Sequence, residues 1–284
     1  MSMKSGSAAP AYNSVLPGAL VCPPPDGAEF AQETRSLRRA DALIASGQMD
    51  KAVATLRRLT RRLPGATRAH LKMATLLKGA RRVGEAMTVL RRATFAAPGD
   101  PAPLEALAEL ALETGATDEA ITLGRRLLTL SPRSLLARDV LSAAFLQRGL
   151  LSDALLMAEE LARLDPEEPA HHFKRGVLLQ QMGQIGAATE AYLRCLDGSD
   201  ASGDDTYLSE AHEAVEILDR FQLRQIALLA VEDVMFRANL LRDPFDTAWG
   251  KGFRLSPAGI AALARLTPED LPAGNPPWRH RYYH

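Results

Sequence analysis

The chain has 284 residues and carries 34 Lys and Arg residues against 34 Asp and Glu residues, so its formal net charge is zero. Hydrophobic residues make up 46% and charged residues 24%, which excludes disorder over the whole chain as well as collagen-like and low-complexity structures. Only 5% of the residues are aromatic, so we expect a hydrophobic core built from Ala and Leu. Overall neutrality argues against a binder of nucleic acid or of anionic membranes.

Residues 1–32 predict a disordered, proline-rich arm. Pro10, Pro17 and Pro23–Pro25 interrupt its short apolar runs, whereas a secretory signal peptide needs an uninterrupted apolar stretch. Two cysteines in the whole chain are too few for a secreted disulfide framework, and no window of 18 apolar residues predicts a transmembrane helix. We therefore expect a cytoplasmic protein without membrane contact.

A repeat of 34 residues follows the arm. Four prolines stand 34 residues apart, at Pro64, Pro98, Pro132 and Pro166. Small residues recur in two further columns, at Ala40, Ala74, Ala108, Ser142 and Gly176, and at Ala52, Ala86, Ala120, Ala154 and Ala188. Glycines occupy another column, at Gly47, Gly115, Gly149 and Gly183, with Arg81 in the remaining position. This regular spacing indicates a repeat protein.

Each column has a mechanical role in a pair of helices. A glycine just after the first helix adopts the left-handed conformation that ends it. A proline ends the second helix because it lacks the backbone N–H and clashes with the preceding turn. The two columns of small residues let the paired helices approach closely. The pattern therefore predicts a series of helix hairpins.

These residues resemble the tetratricopeptide repeat (TPR), which has small residues at its eighth and twentieth positions and proline at its thirty-second. Five units fit without insertions and cover about 60% of the chain: 33–66, 67–100, 101–134, 135–168 and 169–202. The usual large aromatic residue at the fourth position is absent, and the fifth unit has Asp200 in place of its proline. The resemblance implies an all-α, right-handed superhelical solenoid with a concave groove.

The sequence after the repeats predicts a cap. Residues 203–242 resemble a divergent sixth hairpin, with helices over about 206–220 and 222–241, that would cover the end of the solenoid. Residues 243–284 form an extension with one short helix over about 257–266. That helix begins after Ser256, which can serve as its N-cap, with Pro257 at its first position. The rest of the extension is predicted to be coil.

The resemblance implies that the first helix of each unit lines the groove. Carried onto this sequence, the groove residues include Arg38, Asp41, Arg68, Lys72, Lys78, Glu105, Glu109, Glu113, Asp139, Val140, Phe173, Lys174 and Val177. The groove is therefore predicted to be basic at one end, acidic in the middle and more apolar at the far end. Such a surface suits an extended peptide or a helix of a protein partner. The alternative is that some of these charges only solvate a helix face.

Arginine pairs recur on the second helix of the first three units. They are Arg57 and Arg58, Arg91 and Arg92, and Arg125 and Arg126, with Arg61 and Arg62 extending the first pair. We expect a basic strip on the outer face, which could bind an acidic protein or the phosphates of a nucleic acid. The alternative is a solvated face paired with neighbouring carboxylates. Aromatic residues for base stacking are missing from this region, so a nucleic acid is the second choice of partner.

The C-terminal extension gathers six of the 15 aromatic residues. They are Phe245, Trp249, Phe253, Trp278, Tyr282 and Tyr283. Rings outside a regular helix need a surface to cover them, so they pack on the capping hairpin, lie back along the groove or dock on another subunit.

The sequence lacks the usual signatures of catalysis: a Walker lysine motif, a paired-glycine fingerprint and His-Glu-x-x-His. The neighbours His171 and His172 face different directions on a helix, so they cannot hold one metal ion together. Cys195 occupies a core column and is predicted to be a small buried hydrophobe. We therefore expect no enzymatic activity, cofactor or metal. The predicted function is a protein-binding scaffold, adaptor or assembly factor, and a third alternative is an accessory subunit of an enzyme complex.

The zero net charge conceals two oppositely charged halves. Residues 1–98 carry 16 Lys and Arg residues against 6 Asp and Glu residues, a net +10, and residues 99–284 carry 18 against 28, a net −10. A positive region attracts acidic partners even when the whole chain is neutral. It could also attract the negative region of another copy, giving head-to-tail self-association that weakens with salt.

Overall fold

The computed structural model describes residues 27–197 and 205–267. Within these two ranges the chain forms fourteen helices and no strands. The chain divides into two compact units, Met1–Pro103 and Leu104–His284. The first unit contains α1 (Gly27–Ala45), α2 (Met49–Arg62), α3 (Thr67–Gly79) and α4 (Val83–Ala96), and the boundary falls near the start of α5 (Pro101–Glu113).

The second unit continues with helices of nearly constant length. These are α6 (Thr117–Leu130), α7 (Leu135–Gln147), α8 (Leu151–Leu164), α9 (Pro169–Gln181) and α10 (Ile185–Asp197). Its last part contains α11 (Asp205–Glu232), α12 (Val234–Arg242), α13 (Pro244–Gly250) and α14 (Pro257–Ala264). Two helices fall in each of the five predicted repeats, and the sequence prediction of an all-α repeat fold is confirmed.

The columns of the repeat act at the helix ends as expected. The helices α2, α4, α6 and α8 each end two residues before the repeated proline. The backbone φ angle is positive at Gly47, Gly115, Gly149 and Gly183, and Arg81 adopts the same conformation with φ 58°. After α3 the N–H of Arg82 donates to the carbonyl of Leu77 at 2.8 Å, just as Gln48 donates to Leu43 after α1. These bonds satisfy carbonyls that the end of a helix leaves without partners.

The columns of small residues form the helix contacts of the core. Ala52, Ala86, Ala120, Ala154 and Ala188 are fully buried. A Cβ atom at Gly176 would lie 2.7 Å from the ring of Tyr192, so only glycine allows α9 and α10 to pack this closely. The Tyr192 hydroxyl donates to Gln180 Oε1 at 2.9 Å, which satisfies the one polar group of this buried ring.

Two predicted helix boundaries and one predicted coil differ from the structure. The helix α1 begins at Gly27, inside the predicted arm, because no Gly or Pro lies between Gly27 and Gly47 to end it. The break predicted near residue 221 was wrong, since α11 runs without interruption to Glu232. The break falls instead at Asp233, whose side chain accepts the N–H groups of Met235 and Phe236, both at 2.9 Å. The helix α13 was predicted as coil.

The C-terminal helices close one end of the second unit. Ile226, Ala230, Phe236, Leu240, Ala248 and Leu263 form one buried cluster. The buried carboxylate of Asp219 on α11 accepts the backbone N–H of Ser256 at 3.0 Å and the Ser256 hydroxyl. The amide of Gln222 donates to Thr189 on α10 at 3.0 Å and to the carbonyl of Arg254 at 2.7 Å. These bonds fasten the C-terminal segment to the last repeat. The short helix predicted over about 257–266 corresponds to α14, which ends at Ala264, and the Ser256 hydroxyl caps it by accepting the N–H of Gly259.

Candidate functional site

The predicted groove residues of the first unit lie on α1 and α3. Arg38, Arg68 and Lys78 are exposed. The ammonium group of Lys72 pairs with the carboxylate of Asp41 across the two helices. This pair places the two predicted groove positions side by side, as expected for the first helices of neighbouring repeats. We call the exposed side of these helices the first-helix face of the first unit.

The second unit repeats this arrangement with different residues. Lys174 on α9 pairs with Asp139 on α7, so these first helices also present their predicted positions together. On α5, Glu109 and Glu113 are exposed and Glu105 is partly buried. These side chains form the first-helix face of the second unit.

The apolar groove residues lie deeper than expected. Val140 is only 3% exposed, so its assignment to the groove surface was wrong, because it packs into the core. Phe173 and Val177 are partly buried and pack against the cluster around Tyr192. The Phe173 ring lies 5.7 Å from that of Tyr192 and 5.3 Å from that of Tyr207, centroid to centroid. These two side chains therefore offer only part of their surface to a partner.

The arginines of the predicted strip are placed on the second helices. In the first unit Arg58, Arg91 and Arg92 are exposed, and Arg57 donates to Glu85 at 3.2 Å. In the second unit Arg125 and Arg126 are exposed, and the guanidinium carbon of Arg125 lies 5.9 Å from the centroid of the Phe145 ring. A cavity beside the arginines of the first unit was not predicted, because an open space between helices leaves no mark in the spacing of residues.

The aromatic residues of the extension fall into two groups. Trp249 is 49% exposed, and its ring stacks on Phe245 at 5.8 Å and beneath the guanidinium of Arg254 at 3.5 Å. Phe253 is partly buried against the C-terminal cluster of its own chain. The other proposed docking residues, Trp278, Tyr282 and Tyr283, lie outside the described residues.

Burial disfavours the charged forms of Cys195, His70 and His171. Cys195 is fully buried, as predicted, and burial raises the pKa of its thiol to about 11. Burial also lowers the pKa of His70 and of His171 below the ordinary value. The ring of His172 contacts the carbonyl of Pro166 at 2.8 Å through Nε2. This contact ties His172 to the turn between α8 and α9.

The described part of the chain contains neither a metal-binding cluster nor a membrane-spanning helix. Across residues 27–197 and 205–267, no three His, Cys, Asp or Glu side chains are grouped so that they could hold a metal ion. Among the helices of the same ranges, none has both the length and the apolar character needed to cross a bilayer.

Comparisons with known proteins identify the repeat. Residues 43–110 match the family model described as Tetratricopeptide repeat. The MamA protein (41-end) from Desulfovibrio magneticus RS-1 is similar in structure, with a TM-score of 0.54 and 15% identity over 61% of this chain and 98% of that one. YrrB, a TPR protein with an unusual peptide-binding site, gives a TM-score of 0.52 and 16% identity over 65% of this chain and 95% of that one.

A comparison with curated proteins finds no significant match. The solved structures are too distant in sequence to show more than a shared fold, but that fold agrees with the 34-residue columns and with the family match to residues 43–110. Residues 43–110 therefore match the tetratricopeptide repeat, and the described chain shares the fold of solved TPR structures.

Proposed function

We propose that this protein is a non-catalytic interaction scaffold that binds an extended peptide or a helix of another protein along its first-helix faces. The observation that carries the proposal is the pairing of Lys72 with Asp41 and of Lys174 with Asp139. Both pairs join first helices of neighbouring repeats, which supports a partner-binding surface along these helices. The peptide-binding site named for YrrB supports the same use of the fold.

The charges of these faces suit exchange with a partner. An exposed ion pair contributes only about 0–1 kcal/mol to stability, so a peptide can replace one member of the pair at little cost. In the first unit, Arg38 and Arg68 favour carboxylates of the partner. In the second unit, Glu105, Glu109 and Glu113 favour basic side chains. The arrangement of charges along the partner would then determine specificity more than total affinity.

An affinity purification of the full chain with identification of the retained proteins tests the proposal. We expect a protein partner that is retained by the natural chain and lost by the double variant Arg68→Glu/Lys72→Glu. The matched control is Arg58→Glu/Arg62→Glu, which changes the charge of the same unit equally on exposed residues of α2. Equal retention by both double variants, or equal loss from both, would contradict binding at the first-helix face.

A further inference from the structure

A cavity of about 770 Å³ opens in the first unit between α2, α3 and α4. Its wall contains four arginines, Arg57, Arg61, Arg91 and Arg92, and one carboxylate, Glu85. We call this space the arginine cavity. It is lined by the second helices of two repeats and by α3, and none of the proposed groove residues contributes to its wall.

The carboxylate in the wall is already engaged. Glu85 accepts from Arg82 at 2.7 Å and from Arg57 at 3.2 Å. The guanidinium of Arg82 lowers the pKa of Glu85 first through their hydrogen bond, so the carboxylate stays ionised and bound. Among the described residues, neither Arg61 nor Arg92 forms an ion pair. The arginine cavity therefore carries an excess of positive charge with donors available to a ligand.

The floor of the cavity adds no further charge. His70 is buried, and its Nδ1 lies 3.0 Å from the carbonyl of Ala66. Burial lowers the pKa of His70 and the nearby charge of Arg92 lowers it further, so the ring is neutral at pH 7. The positive charge of the cavity thus comes from the arginines and does not change near neutral pH.

An aromatic ring stands at the edge of the same cavity. The Phe95 side chain lines it and is 90% exposed, more than the other large apolar residues exposed in the described chain. Burying a phenylalanine contributes roughly 1.5–3 kcal/mol, so an apolar side chain of a partner that covers this ring would stabilise a complex. The cavity therefore combines guanidinium donors with one apolar contact.

The second unit contains an equivalent cavity with a different charge. It lies 102 residues further along, has a volume of about 760 Å³, and has Arg163 and Arg194 where the first has Arg61 and Arg92. Glu159 replaces Arg57 and Asp197 replaces Phe95. The wall then holds three basic and three acidic residues. The repeat fold thus supplies the space in both places, but of these two cavities only that of the first unit has more arginines than carboxylates together with an exposed ring.

We propose that the arginine cavity binds an acidic segment of a partner protein, with carboxylates on Arg61 and Arg92 and an apolar side chain against Phe95. The planar guanidinium binds a carboxylate through two parallel hydrogen bonds, which makes arginine suited to this contact. A nucleic acid fits less well, because the wall offers Phe95 as its single exposed ring for base stacking. This site is separate from the first-helix faces, and the proposal does not depend on them.

Fluorescence anisotropy of a labelled peptide with the full-length chain tests the site. The probe is a twelve-residue peptide of alternating Glu and Ser with one central Trp, titrated at low salt. We expect binding that weakens as salt is raised, and at least about tenfold weaker binding to Arg61→Glu/Arg92→Glu. A smaller loss of affinity is expected for Arg61→Gln/Arg92→Gln, because this variant removes the positive charges without reversing them.

The equivalent cavity supplies the matched control. Arg163→Glu/Arg194→Glu makes the same chemical change at repeat-equivalent exposed positions and should alter the affinity by less than about twofold. Phe95→Ala should weaken the Trp peptide but leave unchanged a peptide with Gly in place of Trp. Circular dichroism melting of each variant shows that the fold is kept.

Three results would overturn the proposal. One is the absence of peptide binding by the natural chain at low salt. Another is an equal loss of affinity in the two Arg→Glu double variants, since general charge would then explain the binding. A third is tighter binding of a labelled single-stranded RNA than of the peptide, if that binding is lost in Arg61→Glu/Arg92→Glu. This result would assign the cavity to nucleic acid.

Discussion

At the scale of single residues, the repeat columns explain conformation and not only packing. Arg81 stands where the other repeats have glycine, and it adopts the same left-handed conformation with φ 58°. The left-handed region costs a residue with a Cβ atom roughly 1–2 kcal/mol. Because Arg81 is exposed, a smaller side chain there leaves no cavity.

The first prediction follows from this strain. Arg81→Gly should raise the free energy of unfolding by about 1 kcal/mol, since glycine adopts this conformation without the clash of a Cβ atom. Urea unfolding monitored by circular dichroism measures the change. The reciprocal control is Gly149→Ala. It should lower stability through the backbone conformation alone, because φ is +70° and no neighbouring atom lies within 4 Å of the added Cβ. A less stable Arg81→Gly variant would show that the Arg81 side chain stabilises the turn.

Cys195 and Tyr192 should make the free energy of unfolding depend on pH in the alkaline range. Burial raises the pKa of the Cys195 thiol from 9.0 to about 11, and that of Tyr192 from 10.0 to about 12. Both groups are neutral below pH 9 in either state, so their contribution to stability is fully present there. Above pH 9 the unfolded chain loses these protons first, so the contribution is lost as pH rises to about 11 for Cys195 and about 12 for Tyr192.

The second prediction is therefore a fall in the free energy of unfolding between pH 9 and pH 11 that Cys195→Ala reduces. Urea midpoints measured at pH 8, 9, 10 and 11 test it, with the reducing agent held constant. Identical pH profiles for the natural chain and Cys195→Ala would show that the thiol does not contribute.

At the scale of helices, the sequence was informative wherever one local signal decides an end. The prolines at 64, 98, 132 and 166 and the glycine column placed the ends of the repeat helices, because both act within one turn. The missed helix α13 carried a usable signal, since Asp243 before Pro244 has the same pattern as Ser256 before Pro257. The continuity of α11 was harder to predict, because it depends on the absence of a breaker and on packing against other helices.

The contacts of Asp219 could not be predicted, since they join residues 37 positions apart outside the repeat. They lead to the third prediction. Asp219→Ala leaves the buried N–H and hydroxyl of Ser256 without their acceptor, which costs about 1–3 kcal/mol. Hydrogen exchange should accelerate in α14 before it does in α7. The exposed Asp246 on α13 is the control, because Asp246→Ala should leave α14 protected. Unchanged exchange in Asp219→Ala would show that the apolar cluster alone holds α14.

At the scale of the whole molecule, the repeat makes each unit a regular array in which the same positions recur with different side chains. The prediction that the first helices carry the candidate site therefore rests on the repeat pattern and stays a prediction; on these helices Lys72 pairs with Asp41 and Lys174 pairs with Asp139. The sequence did not predict how deeply Phe173 and Val177 are buried, because their burial depends on the neighbouring rings of Tyr192 and Tyr207. The cavities also escaped prediction, since they arise from the spacing between helices.

The division of charge follows the same repeats. The first unit places basic residues both on its first-helix face and in the arginine cavity, whereas the equivalent cavity of the second unit has balanced charges. Each surface can therefore prefer a partner of different charge while the chain as a whole stays neutral.

The central claim is that a protein partner binds along the first-helix face, and site-specific photo-crosslinking tests it most directly. A photoreactive phenylalanine analogue is placed at position 38 on α1 or, as the control, at position 58 on α2; both natural residues are exposed arginines. The account predicts that the partner identified by affinity purification is crosslinked from position 38 and not from position 58. Crosslinking from position 58 alone, or equally from both, would contradict it.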